Sequence, residues 1–158
     1  MERPLTASEC IALPPALMAA LDAATDIGGV RLMAREHPVS KLARFFGHGP
    51  LIIVRRRRIF WPDLPDDLSK RPETLALLAH ELTHVWQYAT GMTLLHYLLR
   101  ERGRYSYRLD PQQPFRAYGY EQQAAMVEDM VRLNSGLPPR WGRAPVAASL
   151  LKRCIRFD

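Results

Sequence analysis

Apolar positions recur at helical spacing along much of the chain. Leu17, Met18, Leu21 and Ala24 repeat at three and four, behind a Pro14-Pro15 pair that suits a helix start, where proline's missing N–H costs nothing. This predicts a first helix from about Pro15 to Ala24, closed by the Gly28-Gly29 break. In "SKLARFFG", Leu42, Phe45 and Phe46 keep helical spacing and Gly47 is a stop. Leu75, Leu78, Leu82 and Val85 predict a longer helix from Glu73 to about Tyr88, stopping at Gly91. Pro72 opens it well, and Glu73 lies in the first turn, where the helix dipole favours negative charge. "TLLHYLLRER" predicts a short helix ending before Gly103. "YEQQAAMVEDMVRLNSG" predicts a clear one, with Ala125, Val127, Met130 and Val131 inside and Gly136 as its stop. "VAASLLKRCIRF" predicts a last short helix.

The pattern changes in "HGPLIIVRRRRIFWP". "LIIV" and "IFW" are β-branched and aromatic, which favours strand, and they do not alternate as a one-sided strand would. Arg55 to Arg58 between them make one long strand or a hairpin with a tight turn, ended by Pro62 and Pro65. "VRLMARE" is a strand or a short connector, and "YSYRLDPQQPFRAYG" is a loop, because Pro111 and Pro114 forbid regular helix. No internal repeat and no low-complexity linker interrupts the chain. The expected fold is α+β, one domain over residues 1–158 with its core at about 28–133.

Composition narrows this further. At 47% apolar residues, the chain can form a core and is not disordered throughout. The net charge of +6 is concentrated in arginine, with Arg55–Arg58 as the densest run. Such a run is most often a solvated face, and nucleic acid, an acidic membrane or an acidic partner are the other readings. Nucleic acid is disfavoured, since the run lacks the interleaved aromatics of a single-strand binder. Cys10 and Cys154 are too few for a disulfide framework and form no C-x-x-C pair. Buried free thiols are expected, with a bridge between the termini as the alternative in an oxidising compartment. Glu9, Pro14, Pro15 and Asp22 interrupt any export signal, and no stretch approaches the ~18 apolar residues of a membrane span. A cytoplasmic protein without a membrane anchor is expected, unless a route that needs no signal exports it.

The chemistry lies in "LLAHELTHVWQY". His80 and His84 are four apart on a predicted helix, so their imidazoles stack on one face and can share one tetrahedral zinc. Glu81 sits about 100° round the helix, at the edge of that face. From there it can take a proton from a zinc-activated water without being a ligand. This is the H-E-x-x-H arrangement of zinc hydrolases. With five histidines and eight glutamates, a chance match somewhere in the chain is on the order of one in a hundred. A third ligand is needed, and His96, Glu101, Asp110, Glu121, Glu128 and Asp129 are candidates. The metzincin position six residues after His84 is Thr90, which does not ligate. Glu121 is favoured, because it opens a helix with enough apolar residues to pack against the first. Glu128, two turns on, can accept from a histidine N–H. Tyr118 and Tyr120 flank the start of that helix, and Tyr105, Tyr107 and Arg116 precede it, any of which could stabilise an oxyanion. Trp86 is expected to pack in the core and Gln87 to bond backbone nearby.

"LLAHELTHVWQ" followed by "YEQQA", with the preceding "GPLIIV…RIFWP" strand, resembles the zincin-like domain of bacterial proteins associated with Vgr and contractile-injection or Rhs-type systems. The resemblance spans about Gly28 to Leu133, and the metal motif with its Val-Trp-Gln extension is its specific part. It implies a small gluzincin-type α+β zincin, with a short sheet, an active-site helix and a facing glutamate helix. It further implies His80, His84 and Glu121 as zinc ligands, Glu81 as catalytic base, metallopeptidase activity and a secretion-system or effector partner. The chain departs from the family where the glutamate helix reads E-x-x-A-D, because Ala125 replaces the aspartate. A carboxylate that orients a histidine is then absent, or supplied by Glu128 or Asp129. In zincins an edge strand near the cleft often holds extended substrate, and alternate arginines of Arg55–Arg58 would then face the cleft and favour acidic peptides. The expectation is a zinc-dependent hydrolase acting on peptide or protein. The alternatives are an inactive zincin scaffold serving as a binding or adaptor protein, and a nucleic-acid binder with a structural metal.

Overall fold

The computed structural model describes residues 1–45, 49–93, 95–97, 104–143 and 145–157, with side chains throughout except at 43–45. Phe46, Gly47, Glu101, Gly103 and most of "TLLHYLLRER" lie outside the described residues; 95–97 are helical.

Four short strands form a mixed sheet in the order β1-β2-β4-β3, with β1 at Glu2–Arg3, β2 at Arg31–Met33, β3 at Ile53–Arg55 and β4 at Arg58–Phe60. β1 and β3 run antiparallel to their neighbours and β2 runs parallel to β4. The arginine run is therefore a hairpin: Arg55 pairs with Arg58, and Arg56-Arg57 make the turn. Arg56 takes φ +56°, a left-handed conformation that costs a non-glycine residue about 1 kcal/mol. β3 is the sheet edge.

The helices are α1 at Ala7–Ala12, α2 at Pro15–Ala24, α3 at Pro38–Phe45, α4 at Pro72–Ala89, α5 at Tyr120–Asn134 and α6 at Ala148–Cys154. α2 runs over the residues its apolar spacing predicts. α1 and β1 were not legible from periodicity, but a capping box marks α1: the Thr6 hydroxyl accepts from Glu9 N–H, and the Glu9 carboxylate accepts from Thr6 N–H. Gly91 and Gly136 follow α4 and α5 with φ +106° and +77°, the left-handed conformation that lets a chain leave a helix.

α4 and α5 pack on each other more extensively than any other pair of elements. Leu75, Leu78, Leu82, Val85 and Trp86 of α4 meet Met126, Val127 and Met130 of α5 in one apolar cluster. α4 is buried almost all round from Leu75 to Gln87, so it forms the spine of the core. Leu17 and Leu21 of α2, and Leu151 and Cys154 of α6, join the same cluster, so the core draws on segments outside 28–133. Both cysteines are free thiols, Cys154 buried and Cys10 half-buried. No helix among the described residues is long and apolar enough to cross a membrane.

The N-terminal segment is tied down by charge. Arg3 grips Glu9 with two hydrogen bonds of 2.9 and 2.7 Å, and the fully buried Glu9 carboxylate also accepts from Leu68 N–H at 2.9 Å. Burial raises the Glu9 pKa, but the Arg3 ion pair and the backbone donors outweigh it and hold the carboxyl below its usual value. A carboxyl lowered on folding stabilises above its unfolded pKa, and that contribution is lost as pH falls through the folded one. Glu9→Gln is expected to cost about 2–4 kcal/mol in denaturant unfolding of the chelator-treated protein at neutral pH. It should also flatten the loss of stability below pH about 4.5; an unchanged acid limb would show that Glu9 does not carry it.

Candidate metal centre

His80 and His84 project from the middle of α4, one turn apart, with ring centroids 5.0 Å from each other. They are 4% and 8% exposed, so the packing that makes α4 the spine also withdraws its histidines from water. Glu121 stands in the first turn of α5 and is 3% exposed. Its Oε2 lies 3.3 Å from His80 Nε2 and 3.3 Å from His84 Nε2. That oxygen is buried and has no hydrogen-bond partner among the described residues. Buried polar atoms are rarely left so.

The donor set suits a metal ion. Tetrahedral zinc with bonds of about 2.0–2.1 Å separates its ligand atoms by about 3.3 Å, which matches the two measured spacings. Among the described residues, His80, His84 and Glu121 form a cluster that could hold a metal ion. His96 is exposed and stands outside it, as do Asp110, Glu128 and Asp129; Glu101 is outside the described residues.

The ring nitrogens facing away from this point are each engaged. His80 Nδ1 lies 3.0 Å from Glu128 Oε2, and His84 Nδ1 lies 2.8 Å from Gln87 Oε1. Both oxygens only accept, so both Nδ1 atoms carry a proton and both Nε2 atoms face Glu121 Oε2. The Gln87 amide is oriented by α5: its Nε2 donates to Tyr120 O at 2.9 Å and Gln123 Oε1 at 3.1 Å. Gln123 in turn donates to Tyr118 O at 2.7 Å. Glu128 also accepts from Trp141 Nε1 at 2.8 Å and pairs with Arg140 at 3.4 Å. A carboxylate that orients a histidine is thus present at Glu128, while Ala125 is fully buried in the core. Tyr97 OH donates to Glu121 Oε1, leaving Oε2 alone pointing at the imidazoles.

The charges are strongly coupled. Burial pulls His80 down, but Glu121 and Glu128 beside it win and hold it at about 10. His84 is raised too, burial being outweighed by Glu121. Burial raises Glu121, yet the two histidines hold its carboxyl far below the usual range. Burial pushes Glu81 up, and its histidine neighbours only partly offset that. The pocket carries a surplus of carboxylate that holds positive charge, as protons when no metal is bound.

His80, His84, Glu121 and Glu81 line a cleft of about 460 Å³. Leu51 to Arg55 form one wall, so the edge strand does border the candidate centre. Of the arginine run only Arg55 lines the cleft; Arg57 instead lays its guanidinium against Gly29, and Arg56 and Arg58 are exposed. Tyr97 and Tyr105 stand opposite, with the Tyr105 ring 5.9 Å from His80. Burial beside the carboxylates pushes the Tyr105 phenol up to about 12, so it stays a hydrogen-bond donor.

The flanking tyrosines fall elsewhere. Tyr118 is buried, and its hydroxyl accepts from Asp110 N–H at 2.8 Å, outside the cleft. Tyr120 offers the backbone oxygen that orients Gln87, and it is not among the residues lining the cleft. Tyr107 donates to Asp129 at 2.8 Å, and Arg116 lies over the buried Trp86 ring. Sequence reasoning missed Tyr97, which sits on a separate segment beyond Gly91 with no periodic link to His84. Gln87 was readable, since it is three residues after His84 and so on the same helix face.

No family model matches the chain, and no curated protein does. Among solved structures, the effector domain of Pseudomonas aeruginosa VgrG2b is similar, with a TM-score of 0.64 at 23% identity. The match covers 85% of this chain and 76% of that one, so the two share a fold over most of their lengths.

Proposed function

We propose that the protein is a zinc-dependent hydrolase of zincin-like, gluzincin-type fold, and specifically a metallopeptidase. The observation that carries this is the convergence of two imidazole nitrogens on an unpartnered buried carboxylate oxygen, with a second carboxylate in the same cleft. His80, His84 and Glu121 would hold the ion. Bound there, zinc supplies Lewis acidity, which makes water a nucleophile near neutral pH and polarises a carbonyl.

The chain's own residues do the rest. Glu81, raised by burial, accepts the proton that the attacking water loses and can return it to the leaving amine. Tyr105 holds a phenol proton in the cleft, where a developing oxyanion can accept from it, while Tyr97 donates its own to Glu121 Oε1. Glu128 and Gln87 fix the two rings in the tautomer that ligates. The edge strand β3 offers backbone groups along the cleft wall to an extended chain. The shared fold with a VgrG2b effector domain supports an association with a bacterial secretion or effector system.

Glu81→Gln is the direct test: it is expected to keep one zinc per chain and lose at least about a thousandfold in peptide hydrolysis. Cleavage by that variant at the wild-type rate would rule out Glu81 as the base. Metal analysis of purified protein is expected to find zinc lost in Glu121→Ala and retained in His96→Ala; the opposite pattern would reassign the third ligand. Acid should oppose binding, because His80 is raised to about 10 and so carries a bound proton at pH 7 that ligation must displace. Titration calorimetry in buffers of different ionisation enthalpy should find at least one proton released per zinc at pH 7. Affinity should rise as pH is raised from 6 to 8, and no proton release would contradict the assignment.

A further inference from the structure

A second concavity, of about 730 Å³, opens beside the metal cleft. Tyr105 lines both, so the two meet at that ring. Arg104, Arg108 and Arg143 line it, all three exposed. Among the described residues no carboxylate lines this groove, and none of the three arginines is in an ion pair.

The walls are built, not incidental. Tyr107 N–H donates to Trp141 O at 3.4 Å and Arg143 N–H to Tyr107 O at 3.0 Å, which ties the two segments side by side. Asp129 of α5 braces both, accepting from Tyr107 OH at 2.8 Å and from the N–H groups of Trp141 and Gly142 at 3.0 Å each. A side chain at Gly142 would run into Val146, four residues on, while meeting the Tyr107 ring at ordinary contact distance.

We infer that this groove binds an acidic stretch of polypeptide and leads it past Tyr105 to the metal cleft. The inference rests on the peptidase reading for its direction but not for its binding chemistry. Three guanidiniums around a trough with no carboxylate among its described lining residues attract carboxylate side chains, and each can grip one through two N–H groups. The aromatic rings of the groove argue against a nucleic-acid strand, which needs free faces for base stacking. Tyr105 and Trp141 stack on each other at 4.7 Å, Arg140 covers the Trp141 ring at 4.5 Å, and Tyr107 is buried.

The test uses the full chain carrying Glu81→Gln, and a fluorescent glutamate-rich peptide, a lysine-rich peptide and a single-stranded oligonucleotide of equal length as probes. Anisotropy is expected to show saturable binding of the glutamate-rich peptide that weakens with added salt. Arg104→Gln/Arg108→Gln/Arg143→Gln should weaken it about tenfold, with zinc content unchanged. The corresponding triple lysine variant should recover most of the loss, which a misfolded groove would not allow. The inference is overturned if the glutamate-rich peptide does not bind, if the glutamine variant binds it as well as the parent, or if the oligonucleotide binds tighter than the peptide. Binding lost in the glutamine variant while the wild type cuts no peptide would leave the groove standing and remove the peptidase reading. Peptide cleavage without preference for acidic sequences, together with unaltered binding, would do the reverse.

Discussion

Glu121 Oε2 is buried between two imidazole nitrogens, 3.3 Å from each, and without a proton or a cation shared at that point a buried charged oxygen would cost more than about 1–3 kcal/mol. The packing of α4 on α5 enforces this arrangement. Leu78, Leu82, Val85 and Trp86 commit α4 to the core, and Met126, Val127 and Met130 commit α5 to the same cluster. Once the helices meet on those residues, the histidines of one face the glutamate of the other. A cation between them would turn the unfavourable placement into a favourable one and let the apolar core and the polar site stabilise each other.

Helix α5 extends that logic outward. Glu121 and Glu128 are two turns apart on one face, so the residue that meets the imidazoles and the residue that orients His80 from behind share a single ridge. Glu128 reaches on to Trp141 and Arg140, and Asp129 beside it fastens the 140–142 segment by backbone hydrogen bonds. Helix α5 therefore contributes to both the candidate metal centre and the frame of the arginine groove. His84 is oriented by a neutral amide, whereas His80 is oriented by a carboxylate, so the two imidazoles are not electronically equivalent.

The long helices and the histidine–glutamate centre were legible because each depends on a single period. Spacing of three and four placed His80 beside His84 and Glu121 at the head of a helix that had to pack. Tyr97, the third dimension of the cleft, depends on how the chain returns after Gly91, and no local pattern encodes that. Strand β1 is two residues long and exists because Met33 and Leu32 offer it an edge, not because Glu2-Arg3 favours extended structure. The arginine run resolved into a hairpin whose side chains mostly leave the cleft. The groove arginines, Arg104, Arg108 and Arg143, are scattered in sequence and gathered only by the Tyr107–Gly142 bridge.

Diffraction from crystals grown with zinc, recorded on both sides of the zinc absorption edge, tests the central claim most directly. The expected result is one anomalous peak about 2.0–2.2 Å from His80 Nε2, His84 Nε2 and Glu121 Oε2. A zinc-replete crystal with no peak at that point, or with its peak on His96 and Glu121 turned away to a hydrogen-bond donor, would contradict the account.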